Sequence, residues 1–488
     1  MSDHCVGAVP RRRWLVARMG ANINDSTSTP SPAYVIRPMG RCLLHPDLRL
    51  HAHTERVDHS WEGEEIMKHR IITIATLTAA WAAAACSDAT TPPPFAADPL
   101  ENAVTAQASA FQRYVSIGTS ISMGWQSDGL IAADQFSSWP GQLARLAGIP
   151  MTQPYIDGTG CRSPLVAPLA SGKRLSGEAA GAPSGSLSCA ALKPGIDLPT
   201  RNVAISGSTT WDALNQTPQT ITDPFSAKLY DRVLAPGQTQ VTAALFHRPT
   251  FVSIELGANE VINARSGIAI PGVTIVPFAQ WAPVYSALVA AVAQKVKRGV
   301  LVGLINDVGT FPSFRTGSEI FADRLTLLGA FHVAVSPDCD ASNNLIFTTV
   351  RIPTAVVAGL TNRAGNLPPF VFSCADGGAT KQDFVLTPTE AAVVNSAMAA
   401  MNAHVRATAD KYHFAAYNLE ELFGMPNLKP PFNSVQFMTS AQPYGSYMSL
   451  DGIHPGAQGH TVLASAAARV INRRYGFGLP TSTIMAAR

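Results

Sequence analysis

The chain has 488 residues, enough for two or three average domains or for one large α/β domain. Its 46% hydrophobic and 8% aromatic content is ordinary for a protein with a packed core. With 36 Lys and Arg against 33 Asp and Glu, charge is sparse and nearly balanced, which leaves nucleic acid no basic stripe and argues against a highly charged ligand.

Residues 67–86 read MKHRIITIATLTAAWAAAAC. A basic start (Lys68, His69, Arg70) precedes an uncharged apolar run, Ile71–Ala85, which suits an export signal and is short for a membrane span. The run ends in small residues directly before Cys86 and so resembles the lipobox of bacterial lipoproteins. That resemblance implies lipidation of Cys86, a mature N-terminus there, and a membrane-anchored protein on the periplasmic face or the cell surface. Residues 1–66 are rich in Arg, His and Pro, lack a sustained period, and have no place ahead of such a signal. Glu62, Gly63, Glu64 and Glu65 would be encoded by purine-rich codons, as a ribosome-binding site is. Met67 is therefore the expected native start, and 1–66 stay outside the fold. Residues 87–105 are a Thr/Pro-rich tether, and the folded domain is expected over 106–488.

Within that domain the pattern predicts a strand at Arg113–Gly118, a helix at Trp139–Leu146 and a second strand at Arg201–Ser206. A helix at Thr239–His247, a buried strand at Thr250–Leu256, an amphipathic helix at Val284–Lys297 and a strand at Val300–Ile305 follow. The chain closes with a long Ala-rich helix at Thr389–Tyr412, a strand at His413–Tyr417 and a helix at Gly459–Tyr475. Strands alternating with helices of this length indicate βαβ units. The expected fold class is α/β: a three-layer α/β/α sandwich with a parallel sheet, flavodoxin-like in plan. Residues 310–385, rich in Pro, Thr and Asn, break the rhythm and read as an irregular insertion.

Of seven cysteines, four lie in the domain in two local pairs, none in a C-x-x-C arrangement. Together with export, this points to disulfides Cys161–Cys189 and Cys339–Cys374 rather than to zinc or redox chemistry. No H-E-x-x-H occurs, and the only H-x-H, His51 and His53, falls in the segment set aside. No metal or cofactor is expected.

Serine-based acyl transfer needs a hydroxyl beside a general base, a group orienting that base, and donors aimed at the oxyanion. The G-x-S-x-G elbow is absent. Four other segments stand at strand ends or in loops: YVSIGTSISMG (114–124), NVAISGSTT (202–210), VSIELGANE (252–260) and SLDGIHPGAQGH (449–460). In this order, over roughly residues 110–475, they resemble the conserved blocks of the SGNH, or GDSL-type, serine hydrolases. The resemblance implies Ser120 as nucleophile, with Asp451 and His454 completing a triad from one D-x-x-H loop. It also implies an oxyanion held by the N–H of Ser120, the N–H of Gly207 and the side chain of Asn259.

Two departures stand out: Thr119 replaces the aspartate of G-D-S-L, and Glu260 replaces the aspartate after the third-block asparagine. Both read as changes in supporting hydrogen bonds. His247, His332, His404 and His413 lack the loop context and read as structural, while His460 is expected on an exposed face of the closing helix. Trp125 and Tyr155 are open to either an acyl-site or a packing role. The implied activity is carboxylic ester hydrolysis through an acyl-enzyme, on a lipid, an acylated glycan or a small ester. The alternatives are a lysophospholipase or thioesterase with the same residues, and an envelope lipoprotein that binds glycan or lipid without catalysis. Thr119 and Glu260 support the last of these, and intact Ser120, Asn259, Asp451 and His454 oppose it.

Overall fold

Three runs of five residues, β1 (Tyr114–Gly118), β2 (Phe251–Glu255) and β3 (Gly299–Gly303), are buried at every position. Continuous burial of this kind belongs to parallel strands covered on both faces. The computed structural model describes residues 107–183 and 188–481. The expectations for 1–66, for the signal at 67–86 with Cys86, and for the tether at 87–105 lie outside those residues. β1 pairs with β2, β2 with β3, and β3 with Ala415–Asn418, all in parallel. No described helix is long and apolar enough to cross a membrane.

The second predicted strand is only partly one. Residues 201–205 run parallel to β1, with Ser116 N–H donating to Arg201 O and the N–H groups of Val203 and Ile205 to Ser116 O and Gly118 O. The next rung is missing because Gly118 N–H goes instead to the side chain of Gln240, at 3.2 Å. Counting this segment, the spatial order is 201–205, β1, β2, β3, Ala415–Asn418. That is the doubly wound order in which the crevice opens between the first strand and the third, at their carboxyl ends.

Helices cover both faces. Thr210–Asn215, Gln240–Phe246, Phe278–Ala293 and Pro388–Tyr412 pack together on one side. Trp139–Leu146 and Ala457–Tyr475 pair on the other, the latter against Ala415–Asn418. Thr239 and Thr387 start their helices with capping boxes, donating and accepting with Thr242 and Glu390. The helix expected from Val284 begins earlier, at Phe278, and ends at Ala293. Pro283 lies inside it, in the second turn, where it has no N–H to give to the carbonyl four residues back.

The 310–385 insertion breaks the β–α rhythm but is more regular than its composition suggests. Phe314–Thr316, Leu345–Phe347 and Val385–Leu386 form a small antiparallel sheet, and Val333–Val335 pairs in parallel with Phe370–Phe372. The 17-residue helix Thr348–Ala364 carries Pro353 internally. The disulfides are Cys161–Cys189 and Cys339–Cys374.

Candidate active site

Ser120 opens a one-turn helix, Ser120–Met123, directly after β1. Gly118 permits this abrupt turn, since a Cβ there would sit 2.6 Å from Ser122 Oγ. Beneath the turn lies a buried carboxylate. Glu255, last residue of β2, accepts from Thr119 N–H at 3.0 Å and Ser122 N–H at 3.2 Å. It also accepts from the hydroxyls of Thr119, at 2.8 Å, and Ser122, at 3.0 Å. These contacts satisfy amides that a helix start otherwise leaves orphaned, and they place negative charge where the helix dipole favours it. Burial raises the Glu255 pKa, and the hydrogen bonds from Thr119 and Ser122 oppose that rise. The sequence signal is a charged residue closing the buried strand FVSIE.

The loop 449–455 brings the other two polar residues to the serine. His454 Nε2 lies 2.9 Å from Ser120 Oγ, and His454 Nδ1 lies 2.7 Å from Asp451 Oδ2. With Nδ1–H donating to the carboxylate, Nε2 is free to accept from the serine hydroxyl. Asp451 is 4% exposed and fully engaged. Its Oδ1 accepts from the N–H of Ile453 and of His454, both at 2.9 Å, and from Ser449 Oγ at 3.1 Å. Burial alone would raise the pKa of Asp451. The His454 charge and this set of donors outweigh burial and hold it well below the usual carboxylate range.

Two neighbours brace the loop. Asp128 N–H donates to Asp451 Oδ2 at 2.7 Å, and Ser127 exchanges hydrogen bonds with Ser449 and Leu450. Ser127 and Asp128 both have φ near +54°, a region that costs non-glycine residues energy and recurs where a site is held in place by its surroundings. From the insertion, Thr349 Oγ1 donates to Asp451 O at 2.9 Å.

Gly207 and Asn259 come from two further turns. Gly207 adopts φ +80° with open space around its Cβ position, so glycine is required there by the backbone rather than by crowding. Neither the Gly207 N–H nor the Ser120 N–H donates to any described residue. Asn259 Nδ2 spends one hydrogen on Ser208 O at 2.8 Å and keeps the other. Glu260 ties the same two turns together, accepting from Thr210 N–H at 2.6 Å. Its other oxygen has no partner among the described residues. Burial pushes its pKa up to about 7 against the bonds from Thr210.

His460 is not exposed. On the closing helix Ala457–Tyr475 it shares a face with the buried Leu463, Ala464 and Ala467, so the imidazole is wholly buried, with neither ring nitrogen hydrogen-bonded among the described residues. Burial, helped by the nearby His454 charge, lowers its pKa to about 3, so it stays neutral. Trp125 is a core residue at 3% exposure, packed edge-on against Phe225. Tyr155 is half-buried and meets Gln153 Nε2 at 3.4 Å. His247 and His332 each bond a backbone carbonyl, His404 bonds Ser286 among aromatic rings, and His413 ends its helix in the left-handed region.

No family model matches the chain, and no curated protein matches it. Among solved structures it is similar to Axe2, an acetylxylan esterase from Geobacillus stearothermophilus, at 11% identity over 76% of this chain and 96% of that one, with a TM-score of 0.30. It is also similar to LAE5, an alpha/beta hydrolase enzyme from the metagenome of Lake Arreo, Spain, at 13% identity over 74% and 94%, with a TM-score of 0.31.

Proposed function

We propose that the chain is a carboxylic ester hydrolase of the SGNH type, working through an acyl-enzyme on Ser120. The observation that carries this reading is the hydrogen-bonded series from Ser120 Oγ to His454 Nε2, 2.9 Å, and from His454 Nδ1 to Asp451 Oδ2, 2.7 Å. Ser120 attacks the ester carbonyl while His454 takes its proton, and the Asp451 carboxylate steadies the imidazolium that forms. The oxyanion of the tetrahedral intermediate is received by the N–H groups of Ser120 and Gly207 and by the second hydrogen of Asn259 Nδ2. His454 returns the proton to the departing alcohol, leaving the acyl group on Ser120. Water, deprotonated by the same imidazole, attacks the acyl-enzyme, and collapse of the second intermediate frees the acid and Ser120. Cys86, behind its basic and apolar run, would tether this activity to the envelope membrane by lipid.

The test is turnover of p-nitrophenyl esters of increasing chain length, with labelling by a fluorophosphonate. Ser120→Ala and His454→Ala should each abolish nearly all turnover, and the double variant should lose little more, since the two act as a unit. Asn259→Ala should lower kcat by about 10²–10³, the size of one oxyanion donor, while Ser120 stays reactive to the probe. Undiminished turnover by folded Ser120→Ala would overturn the assignment.

A further inference from the structure

Six of the twelve large apolar side chains exposed among the described residues fall within 325–371, in the insertion. Leu325 and Leu328 stand three apart on the helix Arg324–Phe331, and Val357 and Leu360 three apart on Thr348–Ala364, so each pair lies on one side of its helix. The inward sides carry Leu327 on the first helix and Ile352, Ala355 and Val356 on the second. The two helices meet where a Cβ on Gly359 would strike Phe331 O. Beside that crossing, Arg363, one turn after Leu360, donates to Ala330 O at 3.1 Å and to Gly329 O, next to Leu328, at 2.9 Å. One guanidinium thus spans from one apolar pair to the other. Leu367 joins at the same end, its carbonyl 3.0 Å from His332 Nε2 just beyond the first helix. These five side chains are 41–74% exposed, and contiguous apolar surface of this kind marks an interaction site. The charges on the two helices are of one sign. Neither helix contains an acidic residue, and Arg324 and Arg363 are exposed beside the leucines. Asp323, before the first helix, is buried and accepts from Ser434 N–H at 2.8 Å.

We propose that this face of the insertion docks on an anionic lipid surface, seating its leucines among the acyl chains while Arg324 and Arg363 reach the phosphate headgroups. Apolar residues flanked by arginine, with no acidic neighbour, fit the boundary between headgroups and acyl chains. A second copy of the chain, packed face to face, would set the same arginines against each other and offer them no counter-charge. A lipid at Cys86 would keep the domain within the reach of residues 87–105, at most about 70 Å, so that even a weak face would be held at the bilayer. The contact is separate from that anchor and from the chemistry at Ser120.

The experiment is vesicle flotation with the chain from residue 86 onward, whose described residues form a compact unit without the preceding segment. It carries Cys86→Ser, so that neither the apolar run 71–85 nor an attached lipid contributes. Vesicles of phosphatidylethanolamine mixed with phosphatidylglycerol are set against vesicles of phosphatidylcholine alone, and thermal melting by circular dichroism establishes that each variant is folded. The unsubstituted chain should float with the anionic vesicles, and more weakly with the neutral ones or in high salt. Leu328→Asp with Leu360→Asp should lower the partition coefficient on both by about tenfold or more, whereas Leu328→Met with Leu360→Met should retain it. Arg324→Gln should lower it by about fivefold on the anionic vesicles alone. Where the aspartate pair fails to fold, Leu325→Asp, at the most exposed of the five positions, gives the same reading. No flotation of the unsubstituted chain, or flotation unchanged in a folded aspartate variant, would overturn the proposal. A dimer in sedimentation equilibrium that the aspartate pair dissociates would also overturn it, by assigning the face to a second copy.

Discussion

Replacing Glu255 with alanine should misplace Ser120 without touching it. The substitution strips the acceptor from two buried amides, Thr119 N–H and Ser122 N–H, and from two hydroxyls that can turn elsewhere. Each orphaned buried amide costs about 1–3 kcal/mol, so the pair costs about 2–6 kcal/mol of stability if the turn stays put. A turn that relaxes to rehydrate those amides carries Ser120 with it, and a displacement of about 1 Å from His454 Nε2 is worth about 10²-fold in rate. Glutamine should behave differently. Its amide oxygen can take the Oε2 position and serve both N–H groups and Ser122 Oγ, while its NH₂ meets Thr119 Oγ1, which then accepts. Glu255→Gln should stay within about tenfold of the unsubstituted rate, because neutral hydrogen bonds keep roughly half the strength of charge-assisted ones. The assay is kcat on p-nitrophenyl acetate with fluorophosphonate labelling rates, and circular dichroism to establish the folded fraction. A folded Glu255→Ala protein that labels and turns over at the unsubstituted rate would refute the reasoning. A Glu255→Gln protein as impaired as Glu255→Ala would show that charge, rather than capping geometry, is at work.

Glu260, raised to about 7 by burial, binds a proton in the folded state that the unfolded chain releases nearer its ordinary value of 4.5. Stability from this group is therefore full below about pH 4.5 and is lost as pH rises through 7, by about 3 kcal/mol at 1.4 per unit. Thermal unfolding of Glu260→Gln against the unsubstituted protein should shift by that amount in favour of the variant between pH 4.5 and 7, and a pH-independent difference would count against it. The Cys161–Cys189 bond closes a separation of 28 residues. The Cys161→Ala, Cys189→Ala double variant should lose about 3 kcal/mol in chemical denaturation under oxidising conditions, and an unchanged midpoint would show that the loop is held by other means.

The strands and the four site segments could be read from the chain because their signals are local. A buried run of five ending in glycine marks a parallel strand, and a turn at its carboxyl end is where such sheets place their chemistry. The helix start at Thr239 agrees with the expected boundary, whereas the long helix, expected from Thr389, begins at Pro388 behind a Thr387 cap whose partner Glu390 lies three residues on. What escaped depends on distance along the chain or on helical phase. Thr349 reaches Asp451 O across 102 residues. The His460 expectation failed on the helix face: His460 stands three, four and seven residues before the buried Leu463, Ala464 and Ala467, on the stripe turned to the core. The second predicted strand failed at a single rung, taken by the Gln240 side chain, which no pattern within 201–206 announces.

The departure at Thr119 shows how such a gap closes. Read alone, a threonine in place of the aspartate before the serine is a loss, and a glutamate at the end of an apolar strand is an oddity. In register they are one device. Gly118 pairs with Glu255 across β1 and β2, so the strand pairing itself delivers the carboxylate under the turn that Thr119 begins. Thr119 then supplies a hydroxyl and an N–H to that carboxylate, where an aspartate would have brought a second negative charge into a buried site. The two positions are therefore coupled. Thr119→Asp in the intact background sets two carboxylates against each other, and the penalty should be relieved when Glu255 is neutralised to glutamine in the same chain.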